Sequence, residues 1–517
     1  MKSKAPAWCF FLWTAHILFH KILKRMSSQS YGGYDMKLED VKKLLDMNMK
    51  VPALKVEGLA YDSREIRPGF IFFAINGMIH DGHDYIDHAV SQGAIMAICE
   101  RKVETKASIP VYSVPNVKKA LALISHHFFN KPSESLHMVG VTGTNGKTTV
   151  THLIYYIYQA LKIDCGLIGT NAYKVPVAEK VVNTTPMSLV LNKMLASTYE
   201  NDVKNVIMEV SSHGIKESRI EHINFDIFIF TNLSPDHLDY HKNMDDYMWT
   251  KMRPFIALSA AKTAIVNIDN EYSSYLCDVT IAKTLTYGLQ AAADFSARNI
   301  QQDIEFTEFD LYYKGRFLCR ITTLYFGIYN VYNTLAAIAY FASVGYNPKD
   351  ISILLKQAPA IDGRFDTFKT NSGVYVVVDY AHTPDAVANV LKSLSAVAKG
   401  DIISVLGAGG DRDRKKRPIM GKNALAYSKH VVFTSDNPRY EEPFSIIYDM
   451  LGGNVRQNYT LCIDREIAIE KALKMAKPGD VVIILGKGHE KTQSIKGKTT
   501  VFCDKTVAKY IIQKYEL

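Results

Sequence analysis

At 517 residues the chain has room for roughly three domains, and 47% hydrophobic against 22% charged residues describes a soluble globular protein with sizeable cores. The net charge of +9 is spread along the sequence with no basic stripe interleaved with aromatics, so no nucleic-acid partner is expected; a basic protein that handles polyanionic small molecules fits equally well. Seven cysteines, an odd number without a C-x-x-C pair, point to reduced thiols in a cytosolic setting.

Residues 1–35 differ from the rest. Trp8 to Leu23 is apolar and aromatic, preceded by Lys2 and Lys4 and followed by Lys24-Arg25. It is short for a membrane span, is interrupted by His16, His20 and Lys21, and no small-residue cleavage site follows. Two readings stay open: a membrane-surface anchor favoured by the flanking cations, and a start placed too far upstream, with Met36 opening the working protein. We adopt the second, treating residues 1–35 as an extension with Ser27–Gly33 as linker, and expect no stable membrane association.

From Met36 to about Ser133 the sequence reads as a small α/β unit, residues 36–133. Leu38, Val41, Leu44 and Leu45 have helical spacing, and Gly69–Ile75 is a buried-type strand. Tyr61-Asp62-Ser63-Arg64 and Asn76-Gly77-Met78-Ile79-His80-Asp81-Gly82 are polar loops on either side of that strand. Together they either cradle a polar ligand or merely cap turns.

A phosphate loop follows. Apolar residues from Met138 lead into Thr142-Gly143-Thr144-Asn145-Gly146-Lys147-Thr148-Thr149, and a helix-compatible run, Val150–Leu161, leads out. Strand, Gly-containing loop and helix N-terminus make an anion site, with Lys147 as mobile cation and the Thr148 hydroxyl placed for Mg²⁺. The Walker A match is incomplete, because Val141 stands where the first Gly belongs. The chain is expected to bind a nucleoside triphosphate. Short apolar runs at Val206–Val210, Phe225–Phe230 and Thr263–Asn267 predict a mostly parallel sheet over residues 134–359. Polar residues at the ends of such strands face the ligand crevice. Glu209 is the first candidate for the Mg²⁺ carboxylate. The dense stretch Thr231–His241 offers His237 to complete the metal shell, directly or through water. Asn330 and Asn333 open an Ala-rich helix, where Asn is often only a cap.

Ala358–Phe365 is turn-rich and links to a third unit, residues 360–517. Four apolar strands, Val374–Asp379, Ile402–Leu406, His430–Thr434 and Val481–Leu485, each end in a polar or Gly-rich loop. Those loops should gather along one edge as a binding crevice. No G-x-G-x-x-G follows them in register, so a dinucleotide site is not expected.

Taken together, Thr142–Thr149, Glu209-Val210-Ser211-Ser212-His213-Gly214, Asp236-His237-Leu238-Asp239-Tyr240-His241, Asp379–Pro384 and Gly486-Lys487-Gly488-His489-Glu490 resemble the Mur ligase family, in order over residues 36–517. The resemblance implies a three-domain α/β fold: a small N-terminal α/β domain, a central P-loop ATPase domain with a mostly parallel sheet, and a C-terminal Rossmann-like α/β domain. It is closest to the members that join the third residue to the peptidoglycan stem peptide. They are cytoplasmic ligases in which ATP phosphorylates the carboxylate of UDP-N-acetylmuramoyl-L-alanyl-D-glutamate and an amine attacks the acyl phosphate. Mg²⁺ is the implied cofactor, ATP a co-substrate, and a monomer the expected state.

By this resemblance Lys147, Glu209, His237 and Lys251 are the catalytic set, with Lys251 carbamylated and Thr148, Glu209, His237 and Lys251 around metal. Read alone, Lys251 would pass for a surface lysine. ATP contacts fall on Gly143 to Thr149, Asn330, Arg364 and His382, a site split between domains that implies closure. UDP-sugar contacts map to Tyr61, Ser63, Met78, Ile79, His80, Asn183, Thr184, Thr185, Ser211 and Arg219. They also map to Glu217, where a carboxylate stands in place of the family's usual Gln, beside an anionic substrate. The added amino acid should be set by Asp436-Asn437-Pro438-Arg439, with Arg412, Gly486 and Glu490. Members that add meso-diaminopimelate resemble this D-N-P-R form, and a guanidinium can grip the second carboxylate that lysine lacks. The bland alternative has Arg439 paired with Glu441 or Glu442 at the surface. Competing functions are a folylpolyglutamate-synthase-like amide ligase, a non-catalytic nucleotide-binding scaffold and a transport or motor ATPase. The Tyr61–Arg64 unit and the D-N-P-R tetrad, the intact catalytic set, and the lack of a transmembrane bundle argue against them in turn.

Overall fold

A computed structural model describes residues 35–77, 80–105, 108–177, 183–238, 240–290, 292–453 and 458–517. The N-terminal readings, and Met78 and Ile79, lie outside the described residues. The chain divides into two compact units, one of residues up to Pro132 with Ser188–Ala196, the other of Ser133–Met187 with Ser197–Leu517.

The first unit carries a parallel four-stranded sheet, β1 (Gly58–Ala60), β2 (Phe70–Phe73), β3 (Ala94–Cys99) and β4 (Val111–Ser113), in that spatial order. Phe70 and Phe72 pack into one core, Ile71 and Phe73 into another. A strand covered on both faces reads as a continuous apolar run, which is why this element is visible in the sequence.

The second unit holds two larger sheets. Ten strands run β5 (His137–Thr142), β6 (Cys165–Ile168), β7 (Tyr173–Lys174), β8 (Asn205–Glu209), β9 (Ile227–Phe230), β10 (Thr263–Asn267), β11 (Lys283–Gly288), β12 (Phe295–Gln302), β13 (Thr307–Tyr313) and β14 (Arg316–Thr323). Their spatial order is β14-β13-β12-β11-β10-β9-β5-β8-β6-β7. From β6 to β12 every pairing across the sheet is parallel, and β12–β14 add an antiparallel extension that the sequence reading did not anticipate. β5 is flanked on both sides by later strands, β8 and β9, so the chain leaves it in a crevice where the connections diverge. Helices Lys147–Ala160 and Ile328–Ser343 cover one face through a core that includes Val139, Val141, Ile207, Ile229, Leu153 and Leu335.

The other sheet has six strands, β15 (Asp366–Lys369), β16 (Tyr375–Asp379), β17 (Ile402–Ala408), β18 (His430–Ser435), β19 (Tyr459–Leu461) and β20 (Val481–Leu485), ordered β15-β16-β20-β17-β18-β19. All pairs are parallel except β15 with β16. Val376 and Val378 face one core and Val377 the other, so this sheet too is sandwiched. A hairpin, β21 (Thr492–Ile495) and β22 (Lys498–Val501), follows β20. The α/β class with a mostly parallel central sheet is the one expected. Among the described residues no helix is long and apolar enough to cross a membrane.

Candidate active site

β5 ends at Thr142, and the loop to the helix at Lys147 turns on two glycines. Gly143 has φ +152 and Gly146 φ +89; a Cβ on them would lie 1.9 Å from Thr231 Oγ1 and 2.4 Å from Asn333 Oδ1. The exit of β9 holds the loop. The Asn145 amide donates to Asn232 Oδ1 at 2.9 Å, and the Thr231 hydroxyl donates to the Asn145 carbonyl at 2.6 Å. What stays available is the N-terminus of a 14-residue helix, whose first N–H groups have no intrahelical acceptor.

Two lysines converge on one carbonyl. Lys147 Nζ donates to the Gly143 oxygen at 2.8 Å and to that of Thr144 at 3.0 Å, and Lys251 Nζ donates to the same Gly143 oxygen at 2.8 Å. Lys251 is 2% exposed, which corrects the surface-lysine reading. The polar helix Met244–Ile256 turns it inward beside the Tyr247 ring. Burial, then the charge of Lys147, hold its amine well below the usual lysine range. Burial lowers Lys147 as well, with Glu209 opposing.

Glu209, the last residue of β8, is fully buried. Its carboxylate accepts from the Thr148 hydroxyl at 3.0 Å, the Thr170 amide at 2.8 Å and the Thr170 hydroxyl at 3.0 Å. Arg364 Nη2 donates to the Thr148 hydroxyl at 3.1 Å. His237 adopts φ +55 with Nε2 3.4 Å from Asp236, and its ring meets His213 edge-on. Burial chiefly pushes its pKa down to about 4, so the imidazole is neutral at pH 7, the form that ligates metal. Among the described residues no cluster of three His, Cys, Asp or Glu could hold an ion unaided. The adjacent carboxylate and hydroxyl of Glu209 and Thr148 are hard oxygen donors of the kind that would fit Mg²⁺.

A cavity of about 350 Å³ opens beside the loop, lined by Gly146, Asn330, Asn333, Arg364, Asp379 and His382 among others. Asn330 and Asn333 are not caps. Gly327 occupies the cap position, while Asn330 Nδ2 donates to the Phe326 carbonyl and Asn333 Nδ2 to Asn330 Oδ1, both at 2.8 Å. Arg364 lies 4.6 Å over the Tyr380 ring, and His382 Nδ1 bonds the Tyr380 carbonyl at 2.7 Å. Burial foremost lowers the pKa of His382.

At the far end of the third sheet, the loops after β17, β18 and β20 meet. Arg439 Nη1 donates to the Gly410 carbonyl, and a Cβ on Gly409 would lie 3.0 Å from Arg439 Nη1 and 3.7 Å from Arg412 Cγ, so both arginines converge there. Arg439 itself has φ +53, held by its amide on the Ser494 carbonyl at 3.0 Å and its own carbonyl on the Lys496 amide at 2.6 Å. The surface pairing considered for Arg439 does not form. Glu441 takes the fully buried Arg417 at 2.7 and 2.9 Å, and Glu442 takes Lys496 at 3.4 Å. Asp436 and Asn437 are buried, and the Asp436 carbonyl accepts from Gln493 Nε2 at 2.7 Å. Gly486 packs against Asp436, and Glu490 Oε2 accepts from Asn437 Nδ2 at 2.7 Å. The Pro438 carbonyl accepts from the Glu441 amide at 3.0 Å, closing the turn. Sequence reasoning missed Arg417, and it met Lys487 only as part of the Gly486–Glu490 motif, with no role assigned; buried cations carry no local signal.

The remaining expected residues fall in both units. In the first, Asp62 caps the turn Ser63–Glu65 and pairs with Arg64 at 2.6 Å, Ser63 is buried, Tyr61 is half-buried and His80 exposed. In the second, Thr185 Oγ1 contacts Ser211 Oγ at 3.1 Å, Arg219 Nη1 donates to the Thr185 carbonyl at 2.9 Å, and Thr184 meets Thr170 at 3.1 Å. The Asn183 carbonyl accepts from the Tyr173 hydroxyl. Glu217 accepts from the Tyr240 hydroxyl at 2.5 Å, so part of its carboxylate is engaged within the protein.

Comparison with known proteins gives three family matches: the Mur ligase family catalytic domain over residues 55–129, the Mur ligase middle domain over 141–341, and the Mur ligase glutamate ligase domain over 363–488. The chain is 42% identical over 473 residues to a UDP-N-acetylmuramoyl-L-alanyl-D-glutamate–2,6-diaminopimelate ligase of Aquifex aeolicus, covering 91% of this chain and 96% of that protein. It is 41% identical over 464 residues to the ligase of the same name from Halalkalibacterium halodurans, covering 89% and 95%. A solved structure of a protein of that name superposes with a TM-score of 0.67 at 28% identity, covering 93% of this chain and 100% of the other.

Proposed function

From the premise that the chain belongs to the Mur ligase family, we propose that it is the ATP-dependent ligase that adds meso-diaminopimelate to UDP-N-acetylmuramoyl-L-alanyl-D-glutamate. The observation that carries the choice of amino acid is Arg439. Its guanidinium sits at the mouth of the third-sheet crevice beside Arg412, and among the described residues no carboxylate pairs with it, while its acidic neighbours are taken by Arg417 and Lys496. A half-buried cation so placed favours an amino acid that brings a second carboxylate. Lysine would leave it unpaired.

In this reading the helix N-terminus and Lys147 bind and orient the triphosphate, and Arg364 and His382 approach it from the third sheet. Thr148 and Glu209, with His237, would hold Mg²⁺, which supplies charge neutralisation for the transferred phosphoryl group. Phosphoryl transfer needs positioning and electrostatic stabilisation more than covalent help from the protein, and these residues are of that kind. The substrate carboxylate takes the γ-phosphoryl group. The amine of diaminopimelate then attacks the acyl carbon, the C–N bond forms as the C–O bond to phosphate breaks, and the amine proton is lost. Lys251, buried and with its amine held well below the usual lysine range, is suited to carbamylation. Tyr61, Ser63, His80, Asn183, Thr184, Thr185, Ser211, Glu217 and Arg219 are assigned to the UDP-sugar. The protein acts as a cytoplasmic monomer.

Phosphate release is the test, measured on purified protein with ATP, UDP-sugar dipeptide and either diaminopimelate or lysine. Diaminopimelate should support turnover and lysine should not. Arg439→Ala should lower kcat/KM for diaminopimelate about 10- to 100-fold, the worth of a charge-assisted contact, with nucleotide affinity intact. Equal use of both amino acids before and after the change would refute the assignment.

A further inference from the structure

We propose that Lys487 is a positioning residue for the incoming amino acid, fixing the carboxylate of Glu490 so that one of its oxygens is presented to the ligand's ammonium. The inference rests on reading the crevice around Asp436–Arg439 as the diaminopimelate site. The side chain of Lys487 has no solvent exposure. An ammonium has three protons, and Nζ has three acceptors within the protein: Glu490 Oε2 at 2.9 Å, the Thr492 carbonyl at 2.8 Å and Asn437 Oδ1 at 3.3 Å. Sealed in this way, Lys487 cannot touch a ligand. Whatever it does for binding passes through Glu490 and Asn437.

The Glu490 side chain, in contrast, is 32% exposed. Its Oε2 accepts both from Lys487 and from Asn437 Nδ2 at 2.7 Å, whereas Oε1 has no protein partner among the described residues. Rotating the carboxylate would break both bonds, so its plane is fixed before any ligand arrives. An acceptor ordered in advance binds more tightly, because the cost of ordering it falls on folding rather than on association. Asn437 is tied down as well. Its Oδ1 accepts from the Ser494 amide at 2.9 Å, next to the Arg439 amide that donates to the Ser494 carbonyl at 3.0 Å. One buried ammonium thus binds together the D-N-P-R turn, the loop after β20 and the β21–β22 hairpin. The distance between Glu490 and Arg439, and hence the fit to an amino acid with an ammonium and a carboxylate on one carbon, depends on that junction.

The test uses the full chain, with phosphate release for KM and kcat and thermal unfolding for each variant. Lys487→Met is expected to raise KM for diaminopimelate about 10- to 100-fold while KM for ATP stays within about two-fold of wild type. Glu490→Gln should lose affinity similarly. The double variant should do no worse than the larger single, because both changes remove one arrangement. A KM for ATP that rises in step, losses that add in the double variant, or an unchanged KM for diaminopimelate would each overturn the proposal. Lys487→Gln, which keeps a donor in the pocket, replaces the Met variant if that one does not fold; if neither folds, the lysine serves folding alone and the proposal falls. Wild-type protein that does not turn over diaminopimelate overturns the functional reading itself, a result seen before any variant is made.

Discussion

Replacing Asp504 with Asn tests what anchors the ends of β18 and β20. Arg465 and Asp504 are both fully buried, joined Nε to Oδ1 at 2.7 Å and Nη2 to Oδ2 at 2.8 Å. The same guanidinium donates to the carbonyls of Ser435 at 3.2 Å and Leu485 at 2.9 Å, the last residues of the two strands. Asp436 and Gly486 come next in the chain. Asparagine keeps the shape but leaves a cation sealed from water with only neutral acceptors. Breaking a buried pair from one side costs about 3–5 kcal/mol. At about 2–4 °C per kcal/mol for a unit of this size, the melting temperature should fall by roughly 6–20 °C. The pair Arg465→Met with Asp504→Leu should recover most of that loss, since an apolar replacement removes both desolvation penalties. Thermal unfolding followed by circular dichroism measures both. A melting temperature for Asp504→Asn within about 2 °C of wild type would refute the reasoning.

Other perturbations reach the nucleotide loop and the acid range. Gly143→Ala places a methyl group 1.9 Å from Thr231 Oγ1 and 2.9 Å from the Asn232 carbonyl. The loop must therefore shift by about 1 Å, which should cut kcat for phosphate release about 100-fold. Lys251→Ala should lose about 100-fold in kcat. Because burial and the charge of Lys147 hold the wild-type amine well below the usual lysine range and so ease its carbamylation, wild-type turnover should drop in CO₂-depleted buffer and return with bicarbonate. The Ala variant should ignore bicarbonate. Arg417 chiefly holds the Glu441 carboxyl down to about 2, against 4.5 when free. Its stabilisation is therefore complete above about pH 4.5 and lost as pH falls towards 2. Burial lowers His489 to about 3, so its neutral form favours the folded state above pH 6.5 and ceases to do so on acidification towards 3. Melting temperature should fall steadily below neutrality, and Glu441→Gln should flatten only the part below about pH 4.5.

The parallel strands were legible because both faces are covered. Val481–Leu485 and Thr263–Asn267 form as read, since burial on both sides leaves no alternation to misjudge. Their ends were legible for the same reason, which is how Glu209 could be singled out, whereas the D-N-P-R turn gained its meaning from family likeness. The Gly69–Ile75 run was read too long. The strand spans Phe70–Phe73, because Gly69 at φ +87 turns the chain before it and the Ile75 carbonyl is taken by the Gly82 amide. Buried cations were illegible. Arg417 meets Glu441 across 24 residues and Arg465 meets Asp504 across 39, so no local pattern announces them. Lys251 was in view only through family likeness, since its helix looks amphipathic and solvent-facing in isolation. The β12–β14 extension escaped because Thr307–Tyr313 alternates buried and half-exposed residues, a weaker signal than an unbroken apolar run.

Arg364 stands two residues ahead of β15, yet its guanidinium lies on the Thr148 hydroxyl, and Thr148 in turn donates to Glu209. A side chain rooted at the threshold of one sheet thus senses what fills the phosphate loop of the other. If the triphosphate draws Arg364 to itself, the segment leading into the six-stranded sheet must follow. Linkage then works in both directions: whatever factor nucleotide adds to the grip on the amino acid, the amino acid must return to the grip on nucleotide. Two pockets on different sheets would in this way report to each other through a single guanidinium.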